Sequence, residues 1–432
     1  MDSEPGGGKQ AGEGARRTLF HGGVLSALGH RDYAILWTSE LFSNVGTWVQ
    51  TAALLWLIKN VLHSNSWVGT VNLVNFVPVM FLVPFTGALA DRYDRRGLLI
   101  LSEIIMMAGA FALAVAASFS VDNKAVILIT VGVIGVGVAI SFPAWESLLP
   151  DIVPREDVLN AIALSSAQWN AARLVGPLIA AAILAFSSPA VAFYINAVTF
   201  GFVIVALFFI RPQRAPEPTE ERMMHSVLDG FSYAWDNRWM TYLLSVLSVV
   251  AFFGMSYIVL IPGLVQDVLH RGSSAYGVLL ATTGLGAIVG SLLVSYLIRF
   301  VKEPTLIQGS FLSLGIMLVA FGLFRPFFLS CIASFGSAAS FIVAGSAANA
   351  MLLNRSTRDM RGRVSSLFII VYVGISAIGG VFLAYLSDVR SVPFSLALGG
   401  AVCIGVAALV IAFPRLVGGE TSSETAKPST TH

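Results

Sequence analysis

The sequence predicts an all-α membrane protein with twelve transmembrane helices, and three observations support this fold class. The chain has 432 residues, of which 56% are hydrophobic and only 12% are charged, whereas soluble domains average about 25% charged residues. Twelve apolar runs each approach the roughly 20 residues that a helix needs to cross a bilayer. These runs are continuous and lack the period-two alternation of barrel strands. The basic residues, finally, concentrate on one side of the predicted membrane.

The apolar runs and the charges between them give the topology. The runs have the approximate limits 33–58, 68–90, 97–118, 124–142, 159–186, 190–210, 241–264, 274–298, 304–324, 327–350, 363–386 and 392–413. With the N-terminus placed inside, 20 of the 26 lysines and arginines fall in cytoplasmic segments, five fall outside, and Arg173 lies within a span. Positive charge marks the cytoplasmic side. We therefore expect a multi-pass protein of the cell membrane with both termini in the cytoplasm.

The chain order of these runs predicts two similar halves. We expect the following segments: a cytoplasmic tail (1–30), a six-helix bundle (31–210), a cytoplasmic linker (211–240), a second six-helix bundle (241–415) and a disordered tail (416–432). Within the linker, one helical face collects apolar side chains and predicts a short interfacial helix; these are Met224, Val227, Leu228, Phe231 and Trp235. The pair Gly46 and Gly254 has the same 208-residue offset as Ser66 and Ser274, which fits a duplicated architecture.

The loop between the second and third runs has the most distinctive pattern in the chain, GALADRYDRR at 87–96. Arginines at a helix end anchor it on the cytoplasmic side, and Gly87 permits close approach of another helix. The carboxylate of Asp91 can lie against the positive N-terminus of a neighbouring helix. We interpret this segment as a conformational gate formed by Gly87, Asp91, Arg92, Arg95 and Arg96.

This loop resembles the signature between helices 2 and 3 of the major facilitator superfamily, with Asp94 at the family's usual second glycine. Stretches at 43–50, 142–150, 173–177 and 361–367 are similar to the enterobactin-exporter-like branch, also called transmembrane secretion effectors. The match runs from about Arg31 to Phe413. The resemblance implies two pseudo-symmetric six-helix bundles, alternating access, and a central cavity lined by helices 1, 4, 7 and 10. We expect Asp91 to contact the start of helix 11, near Arg361.

Polar residues inside the spans are costly and therefore informative. Helix 1 places five of them on one face, which must avoid lipid and is interpreted as a cavity wall; they are Glu40, Asn44, Thr47, Trp48 and Thr51. Later helices add further candidates for the substrate pathway, namely Ser248, Phe252, Ser337, Phe341 and Tyr372. Helix–helix packing is the alternative interpretation of the serines.

Glu40 is our candidate proton carrier, and Arg173 is a charge that would respond to substrate or proton. Glu40 lies roughly 10 Å from the cytoplasmic end of helix 1 and heads its polar face. Glu103 and Glu146 are the other acids considered. Glu103 lies on helix 3, which the resemblance implies is at the periphery, and Glu146 lies at a loop end. A purely structural role for Glu40 is the alternative.

Enzyme signatures are absent from the sequence. The P-loop pattern for nucleotide phosphates and the H-E-x-x-H metal motif do not occur. We therefore expect no cofactor, no metal, no catalytic residues and no nucleic-acid partner.

The resemblance favours a monomeric secondary transporter that exports an amphipathic small molecule, such as a drug or a siderophore-like metabolite, in exchange for protons. The alternatives are an importer, or a receptor or assembly factor that keeps the fold without transporting.

Overall fold

The computed structural model describes residues 25–90, 92–119, 123–210, 232–357 and 360–413. These ranges contain helices and connecting turns but no strand. Twelve of the helices are long and apolar enough to cross a membrane. The predicted number and type of span are therefore confirmed.

The helices are numbered α1 to α12 in chain order. The first six are α1 (Arg31–Leu62), α2 (Asn65–Ala90), α3 (Arg95–Ser118), α4 (Lys124–Ile152), α5 (Val158–Phe186) and α6 (Pro189–Phe209). The last six are α7 (Arg238–Val268), α8 (Ser273–Leu297), α9 (Glu303–Leu323), α10 (Phe327–Arg355), α11 (Arg361–Val389) and α12 (Val392–Ala412). Several helices extend past the apolar runs, because polar residues continue the hydrogen-bonded turns beyond the hydrocarbon.

Two helices leave regular α geometry partway along. Helix α7 changes to a 3₁₀ segment at Met255–Leu260 and to a π segment at Leu264–Val268. Pro262, between these segments, lacks the backbone N–H that an α-helix would use. Helix α11 contains a π segment at Ile370–Gly374. Such π segments are common at functional sites in helical proteins.

The chain forms two compact units that divide α1 and α2 partway. Unit 1 contains residues 1–54 and 77–221, and unit 2 contains residues 55–76 and 222–432. The hairpin formed by the end of α1 and the start of α2 thus belongs with the second half of the chain. Residues 211–231 of the predicted linker, with most of its interfacial helix, lie outside the described residues. Residues 232–236 are helical, at the end of that predicted helix.

Equivalent positions in the two halves have similar local geometry. A Cβ atom on Gly46 of α1 would lie 2.5 Å from Asn196 Oδ1 of α6. One on Gly254 of α7 would lie 2.8 Å from Leu314 Cδ2 of α9 and 3.4 Å from Cys403 Sγ of α12. Both α1 and α7 are followed by a histidine in the left-handed region, with φ of 49°. The repeat suggested by the 208-residue offset therefore has a counterpart in the helix contacts.

Two apolar clusters fill the core of unit 1 near α3. The first joins the starts of α1 and α3 to the ends of α4 and α6, and its members include Tyr33, Leu36, Leu99, Leu148 and Leu207. The second lies further along α3 and includes Met106, Ala110, Ile134, Ala197 and Phe200. Since α3 contributes to both, the face of α3 that carries Ser102 and Glu103, between Leu99 and Met106, lies in the interior of this unit.

Candidate functional site

The polar face predicted for α1 is partly accessible in the structure. Asn44, Thr47, Trp48 and Thr51 are all half-buried. The Thr51 hydroxyl donates a hydrogen bond of 2.8 Å to the Thr47 carbonyl oxygen one turn earlier, which satisfies the hydroxyl within its own helix. The amide of Asn44 and the ring of Trp48 therefore remain the groups on this face best suited to contact a ligand.

Trp48 and Arg173, both predicted, lie together in unit 1. The Arg173 guanidinium lies over the Trp48 ring, 5.6 Å from its centroid, a distance suited to a cation–π contact. Trp169, one turn before Arg173 on α5, makes an edge contact with Trp48 at 5.7 Å. Sequence analysis missed Trp169, although its i−4 spacing from Arg173 places it on the same face. The three side chains form one cationic, aromatic patch between α1 and α5.

Gly176 explains why α5 can approach α1 at this patch. A Cβ atom at Gly176 would lie 2.5 Å from the Trp48 Cβ and 3.2 Å from the Val45 carbonyl oxygen. Real Cβ atoms do not approach so closely, and only glycine fits. Gly176 therefore has a packing role between α5 and α1.

The structure places Glu103 within electrostatic range of Glu40. Glu103 of α3 is only 2% exposed, so its side chain lies inside the unit although other side chains of α3 are exposed. The two carboxyl groups are close enough for their charges to interact. Arg173, in contrast, lies over Trp48, about 12 Å further along α1 from Glu40 at 1.5 Å per residue. The charged neighbour of Glu40 is thus an acid that sequence analysis had set aside.

A buried amide pair joins α1 to α6 further along the same helix. The Asn196 side-chain nitrogen donates a 3.0 Å hydrogen bond to Gln50 Oε1, and the Thr199 hydroxyl donates to Asn196 Oδ1 at 3.1 Å. All three residues are buried. Sequence analysis missed this network, although amides within apolar runs were the available signal. We interpret it as a fixed contact between the two helices.

Unit 2 brings three aromatic rings into one stack. Tyr372 of α11 lies between Phe341 of α10, at a centroid distance of 4.3 Å, and Phe368, at 5.0 Å. The Tyr372 hydroxyl donates a hydrogen bond to the Phe341 carbonyl oxygen. A Cβ atom at Gly345 would lie 2.3 Å from this hydroxyl, so the glycine makes room for the tyrosine. Tyr372 also belongs to the π segment of α11, which changes the direction of its side chain.

The remaining candidates of unit 2 make contacts of other kinds. Phe252 of α7 packs against Phe253 and Phe382, at 4.8 and 5.5 Å. The Ser248 hydroxyl donates to the Leu244 carbonyl oxygen of its own helix. Ser337 is completely buried, and its hydroxyl has no hydrogen-bond partner among the described residues. Phe341 and Tyr372 are thus in direct contact, and Ser337 lies one helical turn before Phe341 on α10.

The arginines of the predicted gate contact helices of their own unit. Arg95 donates to the Ser147 carbonyl oxygen at 2.9 Å and forms an ion pair with Asp151 of α4. Arg96 lies over the Phe208 ring of α6 at 5.7 Å. Asp94, where the family usually has glycine, caps α3 by accepting a 3.0 Å hydrogen bond from the Gly97 N–H. These contacts fix the start of α3.

The other gate residues are only partly described. Gly87 is half-buried near the end of α2, and Arg92 is exposed. Helix α11 begins at Arg361, as expected. Asp91 lies outside the described residues, so its predicted contact with α11 stays a prediction.

A set of polar contacts holds the α1–α2 hairpin within unit 2. The Asp388 carboxylate of α11 accepts hydrogen bonds of 2.8 Å from the backbone N–H groups of Asn65 and Ser66, at the start of α2. It also accepts bonds from the hydroxyls of Ser64 and Ser66. A carboxylate at a helix N-terminus satisfies donors that the helix leaves free. A residue of α11 is therefore the N-terminal cap of α2.

Two grooves lie apart from all predicted site residues. One, of about 600 Å³, runs between α3 and α6 and is lined by apolar side chains such as Met107 and Phe202. The other, of about 350 Å³, lies among α8, α9 and α10. Neither contains a charged side chain, and the first suits a hydrocarbon chain rather than a polar substrate.

Comparison with known proteins agrees with this architecture. The chain is 25% identical over 377 residues to the staphyloferrin A transporter of Staphylococcus aureus, covering 85% of this chain and 93% of the relative. It is 21% identical over 379 residues to macrolide efflux protein A of Streptococcus pyogenes, covering 86% and 93%. The crystal structure of a POT family transporter in complex with 5-aminolevulinic acid superposes with a TM-score of 0.73 at 11% identity, covering 89% and 96%. At that identity the likeness shows the fold alone.

A family model extends the agreement over almost the whole chain. The model described as transmembrane secretion effector matches residues 22–431. It includes the loop pattern at 87–96, both units and every described candidate residue. The relatives are transporters rather than enzymes. The chain therefore belongs to the transmembrane secretion effector family of major facilitator transporters.

Proposed function

We propose that this protein exports an amphipathic small molecule, of drug or siderophore-like chemistry, in exchange for protons. Two of its relatives are named for staphyloferrin A transport and macrolide efflux, which supports this substrate class. The patch at Trp48 and the stack at Tyr372 offer aromatic faces and a single cation. Such surfaces suit a large ligand with both apolar and polar parts. We expect the protein to work as a monomer by alternating access.

The observation that carries the proposal is the position of Glu40. Glu40 is a half-buried residue of α1, one turn before Asn44 on the predicted cavity face. Proton coupling requires a titratable group that can exchange protons with each side in turn. A carboxyl group that is neither fully buried nor held by a cation can gain and lose a proton as its surroundings change. Glu40 meets that requirement on the helix that also carries Trp48.

Glu40→Gln should abolish uphill transport while leaving downhill exchange intact. The amide keeps the size of the carboxyl group but cannot carry a proton between the two sides. Everted membrane vesicles, acidified inside by respiration, would be tested for accumulation of a radiolabelled macrolide. Counterflow without a pH gradient would measure exchange. Glu146→Gln, which changes an exposed acid of α4, is the matched control and should accumulate the macrolide normally.

Other results would point to the alternative functions. Uphill transport by the Gln variant with an unchanged pH profile would make Glu40 structural. Accumulation only in right-side-out vesicles would indicate an importer. If neither orientation moves macrolides, nor any compound from a screen of toxic molecules and siderophores, a receptor or assembly role would replace the transport proposal.

The proposal also includes the orientation of the protein in the cell membrane. The excess of basic residues in alternate loops places both termini in the cytoplasm. A reporter fused after Lys59 should indicate an outside location, and a reporter fused after Asn237 should indicate an inside location. Alkaline phosphatase and green fluorescent protein fusions at both positions would measure this. The opposite pattern at either position would contradict the orientation.

A further inference from the structure

The interior of unit 1 holds an acidic residue that the mechanism above does not use. Glu103 lies on α3 between the two apolar clusters, one turn beyond Leu99 of the first and one turn before Met106 of the second. It is 2% exposed, and its Oε2 atom has no hydrogen-bond partner among the described residues. Burying a carboxylate without partners is very costly. This residue therefore needs a compensating interaction.

Helix geometry places Glu40 at a position along α1 similar to that of Glu103 along α3. Leu36 and Leu99 belong to one cluster near the starts of α1 and α3, and Glu40 and Glu103 each follow four residues later, one helical turn on. The charge of Glu40 accordingly acts on Glu103. Glu40 is half-buried, whereas Glu103 is enclosed. The pair thus has one accessible member and one interior member.

The other charged groups on the surrounding helices have other positions or partners. On α3 itself, Arg95 pairs with Asp151 of α4, and Arg96 lies over Phe208 of α6. Glu146 of α4 is exposed. Arg173, in the middle of α5, lies over the Trp48 ring of α1. The remaining titratable groups of these helices lie towards helix ends; they are Arg31, Asp32, Tyr33 and Lys59 on α1, Lys124 on α4, and Tyr194 on α6. No group of three or more metal-ligating side chains occurs among the described residues.

We propose that Glu40 and Glu103 together form one proton-binding site. Two carboxyl groups that share an apolar site cannot both ionise cheaply, so one proton neutralises the pair. Glu40 exchanges this proton with water, and Glu103 holds it in the core. The inference deepens the proposed function, since the pair would be the element to which proton movement is coupled. It makes Glu103 a member of the proton site rather than a packing residue.

The site is tested first without any substrate. Infrared spectra of the full-length protein in liposomes, recorded across a pH series, should show the carbonyl stretch of a protonated carboxyl group. This band should change in Glu40→Gln and in Glu103→Gln and should be absent from the double variant. Glu156→Gln, an exposed acid before α5, is the control and should leave the band unchanged. A band identical in wild type and double variant would overturn the inference, as would its displacement by sodium ions alone.

Transport then tests whether the two carboxyl groups act as one unit. Groups that share one function give non-additive effects when both are changed. The two single variants and the double variant should lose uphill macrolide accumulation to the same extent, and Glu103→Asp should recover part of it. Full uphill accumulation by Glu103→Gln would show that Glu103 takes no part in proton coupling and would overturn the pair. If wild-type protein has the shared proton but no proton-driven transport, the proposed function fails while this site remains.

Discussion

Gly379→Ala should prevent the C-terminal helices from packing and abolish transport. The added Cβ atom would lie 2.0 Å from the Phe252 carbonyl oxygen and 2.6 Å from Ser256 Oγ. The first obstacle is backbone, so α11 would have to move away from α7. Overpacking of this kind costs about 1–3 kcal/mol or more, against a total stability of about 5–15 kcal/mol. We expect low yield, a lowered unfolding temperature and no macrolide accumulation.

Gly405→Ala is the matched control for this substitution. Nothing lies within 4 Å of a Cβ atom built at Gly405 of α12. Alanine favours a helix over glycine by about 1 kcal/mol, so this variant should be as stable as wild type or slightly more stable. Adding Ser256→Ala to Gly379→Ala should not rescue it, because the carbonyl oxygen remains. Equal unfolding temperatures for the Gly379 and Gly405 variants would contradict the packing argument.

The ion pair between Lys59 and Asp267 should respond asymmetrically to the loss of either partner. Lys59 Nζ lies 2.6 Å from Asp267 Oδ2, with the lysine side chain 5% exposed and the aspartate 47% exposed. Asp267→Asn leaves a buried ammonium group without its counter-charge. The usual cost of about 3–5 kcal/mol for breaking a buried pair is reduced here by the exposure of Asp267. We expect a loss of about 2 kcal/mol in the free energy of unfolding.

Lys59→Met should be much milder, about 0–1 kcal/mol, because methionine fills the site and the exposed aspartate is solvated. Unfolding of the detergent-solubilised protein, followed by tryptophan fluorescence, would measure both variants. In the double variant, methionine removes the unpaired charge, so its stability should return close to that of Lys59→Met. Equal losses for the two single variants would contradict the burial difference on which this expectation rests.

Some of the site was predictable from the sequence, and some was not. The polar face of α1, Arg173, Phe341 and Tyr372 were chosen because polar and aromatic groups in spans must avoid lipid or meet a ligand. A polar residue in a span can be identified in this way, but the residues that it contacts cannot. Trp169, which completes the patch at Trp48, was therefore not predicted. Glu103 was set aside because the resemblance implies a peripheral helix 3, but the position of a whole helix says little about the direction of one side chain.

The sequence by itself determined the twelve spans and the family, because both depend on local properties. The length of an apolar run and the short loop pattern at 87–96 can be read without knowing which helices touch. Only the tertiary structure decided which polar groups meet: Glu40 with Glu103, and Lys59 with Asp267. Those partners depend on how closely two helices approach each other and on the residues at which they cross. Glycines such as Gly176 and Gly379 set that approach through contacts with residues more than a hundred positions away, and no local pattern encodes such distant contacts.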